Sequence, residues 1–191
     1  MNKRNFLVAG ASVAALAALS SACTTTGGSG GDPAERRRAI DADVDRALSQ
    51  LYNEIRGSRE LVASARGVLV FPSVISAGFI VGGTHGTGAL RKGGATVSYH
   101  SMTAASVGLL AGARSKAVYY LFMTEDALRR FEASSGWTVG ADASVALVTV
   151  GANAQVDTRS AQQPVVAFVL TNAGLMANLS MDGTRVGRLD L

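Results

Sequence analysis

The sequence predicts an α+β fold, in which an N-terminal amphipathic helix precedes a mainly antiparallel β domain, sandwich- or barrel-like, with one inserted helix. Three observations lead to this prediction. Apolar residues recur at helical spacing after residue 34, short β-type segments follow from Gly67 onward, and a capped helical segment near Thr124 interrupts them. Helices at the start and once in the middle of a series of strands are typical of α+β domains.

The first predicted helix covers about residues 34–56, after Asp32 and Pro33, which suit a helix start. Its apolar residues are four, four, three and four positions apart and therefore share one face: Ile40, Val44, Leu48, Leu51 and Ile55. Two interpretations remain open. The helix packs on the domain through this stripe, or it lies on a membrane, led by Arg36, Arg37 and Arg38. A short second helix is predicted over 59–66.

The first predicted strand is Val68–Phe71, and Pro72 is expected to end it. Turn residues separate the later strand candidates, which are 78–83, 96–102, 106–110, 117–123, 144–150, 165–170, 175–180 and 185–189. Thr124 is the predicted cap of the inserted helix, which Glu125 and Asp126 begin and whose Leu128 and Phe131 face inward. Trp137, the one tryptophan, is predicted to be a core residue.

Residues 1–22 have the order of a secretory signal peptide: two cations, an apolar run, then small residues. Cys23 follows directly, and its position predicts a lipid anchor, although Ser20 stands where such signals usually carry leucine. The alternative is plain cleavage after Ala22, which leaves a soluble periplasmic protein. Residues 23–33 form the lipid-anchor cysteine and a flexible linker, and 34–191 form one domain. Thr24 after the cysteine favours the periplasmic face of the outer membrane.

The charge balance argues against nucleic acid as a partner. The chain has 18 Lys and Arg against 14 Asp and Glu. Removing Lys3 and Arg4 with the signal peptide leaves 16 cations, a net charge of only +2. A nucleic-acid-binding domain would carry a clustered excess of positive charge. The lone cysteine also excludes an internal disulfide.

Patterns that carry catalytic chemistry are missing from the sequence. The two histidines, His85 and His100, have no second metal ligand beside them, so neither a metal nor another cofactor is predicted. The glycine-rich segment 82–88 lacks the Gly-Lys-Ser/Thr ending of a phosphate loop, and its glycines are predicted to be structural ones within a sheet. A Gly-x-Ser-x-Gly nucleophile motif is absent. We therefore predict that the protein is not an enzyme.

From about residue 65 to 191 the chain resembles the SYLF domain family, found in exported bacterial proteins and in eukaryotic proteins of endocytosis and actin patches. The motifs that carry the resemblance occur in the family's order and are Gly67–Pro72, Gly78–Gly83, Ser106–Gly108, Gly112–Lys116, Leu121–Thr124, Trp137–Val145 and Gly174–Ser180.

The resemblance implies phospholipid binding by an amphipathic helix and basic residues, without catalytic residues. For an exported bacterial member the implied ligands are anionic envelope lipids. The positions that suit this role are Arg36, Arg37, Arg38, Arg91, Lys92, Arg114 and Lys116. Because seven arginines and six acids share the helical segment 34–66, attraction to a membrane should be weak, and a lipid on Cys23 would supply most of the residence. The alternative function is a structural module that binds another envelope protein.

Overall fold

A computed structural model of the chain describes residues 32–78, 81–107, 114–148, 163–171, 174–175 and 183–191. These residues form an α+β fold, with three helices and one curled, mainly antiparallel sheet of nine strands among them. The helices are α1 (Pro33–Glu54), α2 (Ser58–Ser64) and α3 (Glu125–Ala133). The strands are β1 (Gly67–Gly78), β2 (Val81–Lys92), β3 (Ala95–Val107), β4 (Arg114–Phe122), β5 (Trp137–Thr138), β6 (Ala146–Leu147), β7 (Val165–Thr171), β8 (Gly174–Leu175) and β9 (Arg185–Arg188).

The strand order across the sheet is β5-β9-β3-β2-β1-β4-β7-β6, with β8 paired to β7. Every described pairing between these strands is antiparallel except β6 with β7, where Ala146 lies opposite Val166. The predicted antiparallel β domain is therefore confirmed. The described strands belong to one sheet that curls as a half-barrel, and they do not divide into the two sheets of a sandwich.

Strand β1 continues through Pro72 to Gly78, so the prediction that Pro72 ends the strand is wrong. The pairing of β1 shifts register at this point, between Val70 and Ser73 toward β2 and between Phe71 and Val74 toward β4. An irregularity of this kind lets a strand include a residue without a backbone N–H.

Strands β2 and β3 are longer than predicted and form a hairpin of 12 and 13 residues. The glycine-rich segment 82–88 lies inside β2, as predicted. The segments 96–102 and 106–110 were predicted as separate strands, but the structure joins 95–107 into one. Gly93 and Gly94 form the turn with φ of 58° and 86°, values that favour glycine.

Both faces of the sheet are buried at its centre. Along β4 the side chains alternate, so that Val118, Tyr120 and Phe122 belong to the apolar cluster that includes α3, whereas Ala117, Tyr119 and Leu121 belong to the cluster that includes α1 and α2. We call these two sides the α3 face and the α1 face. Strand β7 alternates in the same way, and its residues 165–170 are all buried. Burial on both faces explains why these strands have continuous apolar sequences.

The helices use the apolar positions that the sequence indicated. On α1, Val44 and Leu51 are fully buried on the α1 face, and Ile40 and Leu48 are partly buried there. The apolar stripe therefore packs on the sheet and is not available to a membrane. Thr124 caps α3 by accepting a hydrogen bond from the Ala127 backbone N–H at 3.2 Å, as predicted. Trp137 is 2% exposed, which confirms it as a core residue.

His100 makes stability depend on pH. It lies on the α3 face against Phe131, with ring centroids 5.0 Å apart, and its Nε2 is 2.8 Å from Ser98 Oγ. Burial, together with the nearby Arg188 charge, lowers its pKa from 6.5 to about 4, which a backbone hydrogen bond with Gly187 only partly opposes. Between these values the unfolded chain binds more protons than the folded one, so stability falls as the pH drops from 6.5 toward 4.

We expect the free energy of unfolding to fall by about 2 kcal/mol between pH 7 and pH 5 through this histidine. His100→Gln should remove most of that loss, because glutamine stays uncharged. Urea unfolding at the two pH values measures it, with His85→Gln as the control because His85 is exposed. An equal loss in wild type and His100→Gln would show that another group is responsible.

Candidate functional site

Acidic residues of α1 are turned toward the β2–β3 hairpin. The Asp41 carboxylate accepts hydrogen bonds from Thr96 Oγ1 at 2.7 Å and from the Tyr99 hydroxyl at 3.0 Å. Burial, and then the bond to Asp41, raises the pKa of Tyr99, which keeps this hydroxyl a donor. These contacts fix α1 on the sheet and leave the Asp41 carboxylate little freedom to neutralise cations elsewhere.

Arg91, predicted as a lipid-binding residue, is the centre of the same network. Its Nη2 lies 2.9 Å from Asp45 Oδ1 and 3.7 Å from Asp41 Oδ1, and it donates to the Asp41 backbone oxygen at 3.2 Å. Its Nη1 donates to the Gly94 carbonyl oxygen at 2.9 Å. The side chain is only 14% exposed. The structure therefore places Arg91 as an internal tie between α1 and the hairpin.

Lys92, the next predicted residue, is engaged on the opposite side of the sheet. Its Nζ is 3.1 Å from Glu132 Oε1, which joins the hairpin to α3. Both side chains of this pair are about one-third exposed. Arg91 and Lys92 thus have acidic partners on two different helices, and their adjacency in sequence does not create a joint basic patch.

Arg114 and Lys116 lie near the start of β4, away from the first two. In the backbone register Arg114 is opposite Ser76, and Lys116 is opposite Val74 and Thr171. Lys116 is half-buried, and burial lowers its pKa. Among the described residues its ammonium group has no ion-pair or hydrogen-bond partner. The backbone positions of these two residues are therefore distant from those of Arg91 and Lys92 along the sheet.

The three consecutive arginines at the start of α1 are all exposed. Arg37 Nη2 donates to the backbone oxygen of Leu191, which ties α1 to the end of the sheet. Within the described part of the chain Arg36 and Arg38 have no acidic partner. Of the predicted lipid-binding residues whose side chains are described, these two are the most available to an external anion.

Sequence reasoning missed three further arginines in or beside α2, namely Arg56, Arg59 and Arg66. All three are exposed, and none is ion-paired within the described ranges. The Arg59 guanidinium lies over the Tyr52 ring, 4.3 Å from its centroid. No local signal identifies them as available cations. The sequence does not show which acids of the segment pair within the fold and which remain to neutralise these arginines.

The remaining predictions concern the N-terminal segment, membrane-spanning helices and metal ligands. Cys23, the predicted signal peptide and all but the last two residues of the predicted linker lie outside the described residues. Among the residues that are described, no helix is long and apolar enough to cross a membrane. In the same part of the chain, no three His, Cys, Asp or Glu side chains are placed to hold a metal ion.

Comparison with known proteins gives one family. Residues 103–189 match the family model Ysc84, described as a Las17-binding protein actin regulator. No curated protein matches the chain. The motifs Gly67–Pro72 and Gly78–Gly83 lie before the matched segment, but the structure pairs β1, which begins at Gly67, with both β2 and β4. Residues 103–189 therefore match the Ysc84, or SYLF-domain, family model, in agreement with the resemblance that the sequence motifs indicated.

Proposed function

We propose that this SYLF domain binds anionic phospholipid through the exposed arginines of its two adjacent helices, α1 and α2, in an exported, lipid-anchored envelope protein. The observation that carries the proposal is the partition of charge on the helical segment. Asp41 and Asp45 are engaged with Arg91 and the hairpin, whereas Arg36 and Arg38 have no acidic partner among the described residues.

The sequence of the helical segment has nearly equal numbers of acids and arginines, but the structure distributes the two unequally between internal contacts and the exposed surface. Asp43 pairs with Arg46 on the surface of α1, so three of the six acids of segment 34–66 are occupied. Apart from Arg37, which is held by Leu191, the exposed arginines of the segment without acidic partners among the described residues are Arg36, Arg38, Arg56, Arg59 and Arg66. They outnumber the remaining acids of the segment, Glu35, Glu54 and Glu60, so the exposed charges of the helical segment have a positive excess. Each cation near an anionic membrane contributes about 1 kcal/mol, which gives a weak, salt-sensitive attraction.

With a lipid on Cys23, this weak attraction would be sufficient to keep the domain against the membrane surface. The linker 24–33 would hold the domain near the membrane at a high effective concentration, so that modest electrostatic contacts could orient it. In this proposal the protein is held on the periplasmic face of the outer membrane. Arg91 and Lys92 take no part in this form of the proposal, because each stabilises the fold through an acidic partner.

Co-sedimentation of fragment 33–191 with vesicles tests the proposal. This fragment is one compact unit and contains both apolar clusters, so it is suited to study without its anchor. We expect binding to vesicles that contain phosphatidylglycerol, little binding to phosphatidylcholine alone, and a marked decrease from 50 to 200 mM salt. Equal sedimentation with neutral and anionic vesicles would contradict an electrostatic mechanism.

A protein partner in the envelope is the second candidate, favoured by one edge of the sheet. Among the described residues, strand β3 has 13 residues but pairs with β9 only over His100–Thr103. Val97, on the same strand, is 47% exposed. A long strand with a partly unpaired edge can accept a strand from another chain. Stable co-purification of one envelope protein, without any vesicle binding, would favour this function over the first.

A further inference from the structure

A groove lies between α1, α2 and the β2–β3 turn. Its volume is about 540 Å³, within the range of roughly 300–1,000 Å³ that is usual for small-molecule sites. One wall is formed by Leu48 and Tyr52 of α1, and the opposite wall by Val62 of α2 with Ala65 and Val68 after it. The groove is thus lined mainly by apolar groups, at the side of the domain that carries the unpaired arginines.

Fixed contacts hold the elements on either side of the groove in place. Buried Ser58 at the start of α2 donates its hydroxyl to the carbonyl oxygens of Ile55 at 2.6 Å and Leu51 at 3.1 Å. At the other side, the Arg91–Asp45 ion pair closes the wall beside the turn. Because both ends are held by hydrogen bonds or charges, the apolar walls between them do not depend on a ligand for their position.

The charges around the groove leave one cation available. Asp45 and Arg91 neutralise each other, whereas Arg59 has no acidic partner among the described residues and rests on the Tyr52 ring. Burial raises the pKa of Tyr52, although Arg59 opposes this, so the Tyr52 hydroxyl stays neutral. A guanidinium beside an apolar channel complements a ligand with one alkyl chain and one anionic head, and phosphate suits the planar donors of arginine.

We propose that this groove holds one acyl chain of an anionic phospholipid, with Arg59 contacting its phosphate. The inference rests on the proposed function for the identity of the lipid, but it goes further. Surface attraction by arginines requires no cavity, whereas here a single lipid would be recognised by both its head and its chain.

The test uses fragment 33–191 and dodecyl phosphate below its micelle concentration, followed by amide NMR. We expect saturable binding with shifts at the groove residues, and weaker binding of dodecyl maltoside and glycerol 3-phosphate, which lack the anion and the chain respectively.

Arg59→Gln should weaken binding of dodecyl phosphate about tenfold. Ala63→Trp should fill the groove and abolish binding, because Ala63 is exposed on its wall. Ala42→Trp, exposed on α1 outside the groove, is the matched control and should bind within about twofold of wild type.

Several results would overturn the inference. The first is a folded Ala63→Trp fragment that binds dodecyl phosphate as wild type does. The second is binding of dodecyl maltoside as tight as that of dodecyl phosphate. The third is no binding of dodecyl phosphate at all. If vesicles still bind while dodecyl phosphate does not, the groove is excluded and the surface arginines remain. If dodecyl phosphate binds in the groove while vesicles do not, the groove stands and the proposed function fails.

Discussion

Gly88→Ala is expected to destabilise the domain by about 4 kcal/mol or more, a large part of the roughly 5–15 kcal/mol that stabilises a native domain. A Cβ at Gly88 would lie 1.9 Å from the Val70 carbonyl oxygen and 2.8 Å from Phe71 Cδ1. The first of these atoms belongs to the backbone of β1 beside the register shift at Pro72, so no side-chain rotation relieves the clash. Urea unfolding, or the soluble yield if the variant does not fold, measures the effect.

Gly83→Ala in the same strand is the matched control. A Cβ there meets no atom within 4 Å, and the backbone is not in the left-handed region. Its free energy of unfolding should stay within about 0.5 kcal/mol of wild type. If Gly88→Ala were as stable as Gly83→Ala, the close approach of β2 to the irregular part of β1 would be wrong.

Arg91→Met is expected to cost about 2–3 kcal/mol of stability, the second largest effect. Removing one member of a mostly buried ion pair leaves its partners unpaired, and the Gly94 and Asp41 backbone oxygens also lose a donor. Because Asp45 is 65% exposed, the loss should fall below the full cost of a buried pair. Urea unfolding measures the change, and α1 should become less helical by circular dichroism.

Arg46→Met is the control for Arg91→Met, since Arg46 pairs with Asp43 on the exposed side of the same helix. It should change stability by no more than about 0.5 kcal/mol. Similar effects in both variants would contradict the role of Arg91 as an internal tie. If the prediction holds, weaker membrane binding by an Arg91 variant would report a loosened α1 and not a lost lipid contact.

Local sequence signals predicted the elements whose determinants are local. The stripe from Ile40 to Ile55 fixed the buried face of α1, and the Thr124 cap fixed the start of α3. The course of β1 through Pro72 could not be predicted in this way. It depends on a register shift against two neighbouring strands, and pairing partners that are distant in sequence determine that shift. The short β5 was missed because its two residues form a strand only by pairing with β9.

The candidate site depends even more on contacts between residues that are distant in sequence. Counting charges treated the helical segment as nearly neutral and joined Arg91 with Lys92 as a basic pair. Which arginines remain available depends on contacts between residues about fifty positions apart, such as Asp41 with Thr96. The sequence could therefore indicate basic residues as a class, but it could not separate those that stabilise the fold from those that face outward.

The most direct test of the central claim compares two double variants of equal charge on phosphatidylglycerol vesicles. Arg36→Gln with Arg38→Gln removes two unpaired cations of α1, whereas Arg129→Gln with Arg130→Gln removes two cations that pair with Asp126 on α3. At about 1 kcal/mol each, the first pair should weaken vesicle binding roughly 30-fold, and the second should change it only slightly. Equal weakening by both would contradict the claim, because it would mean that net charge alone, and not the α1 side of the domain, determines binding.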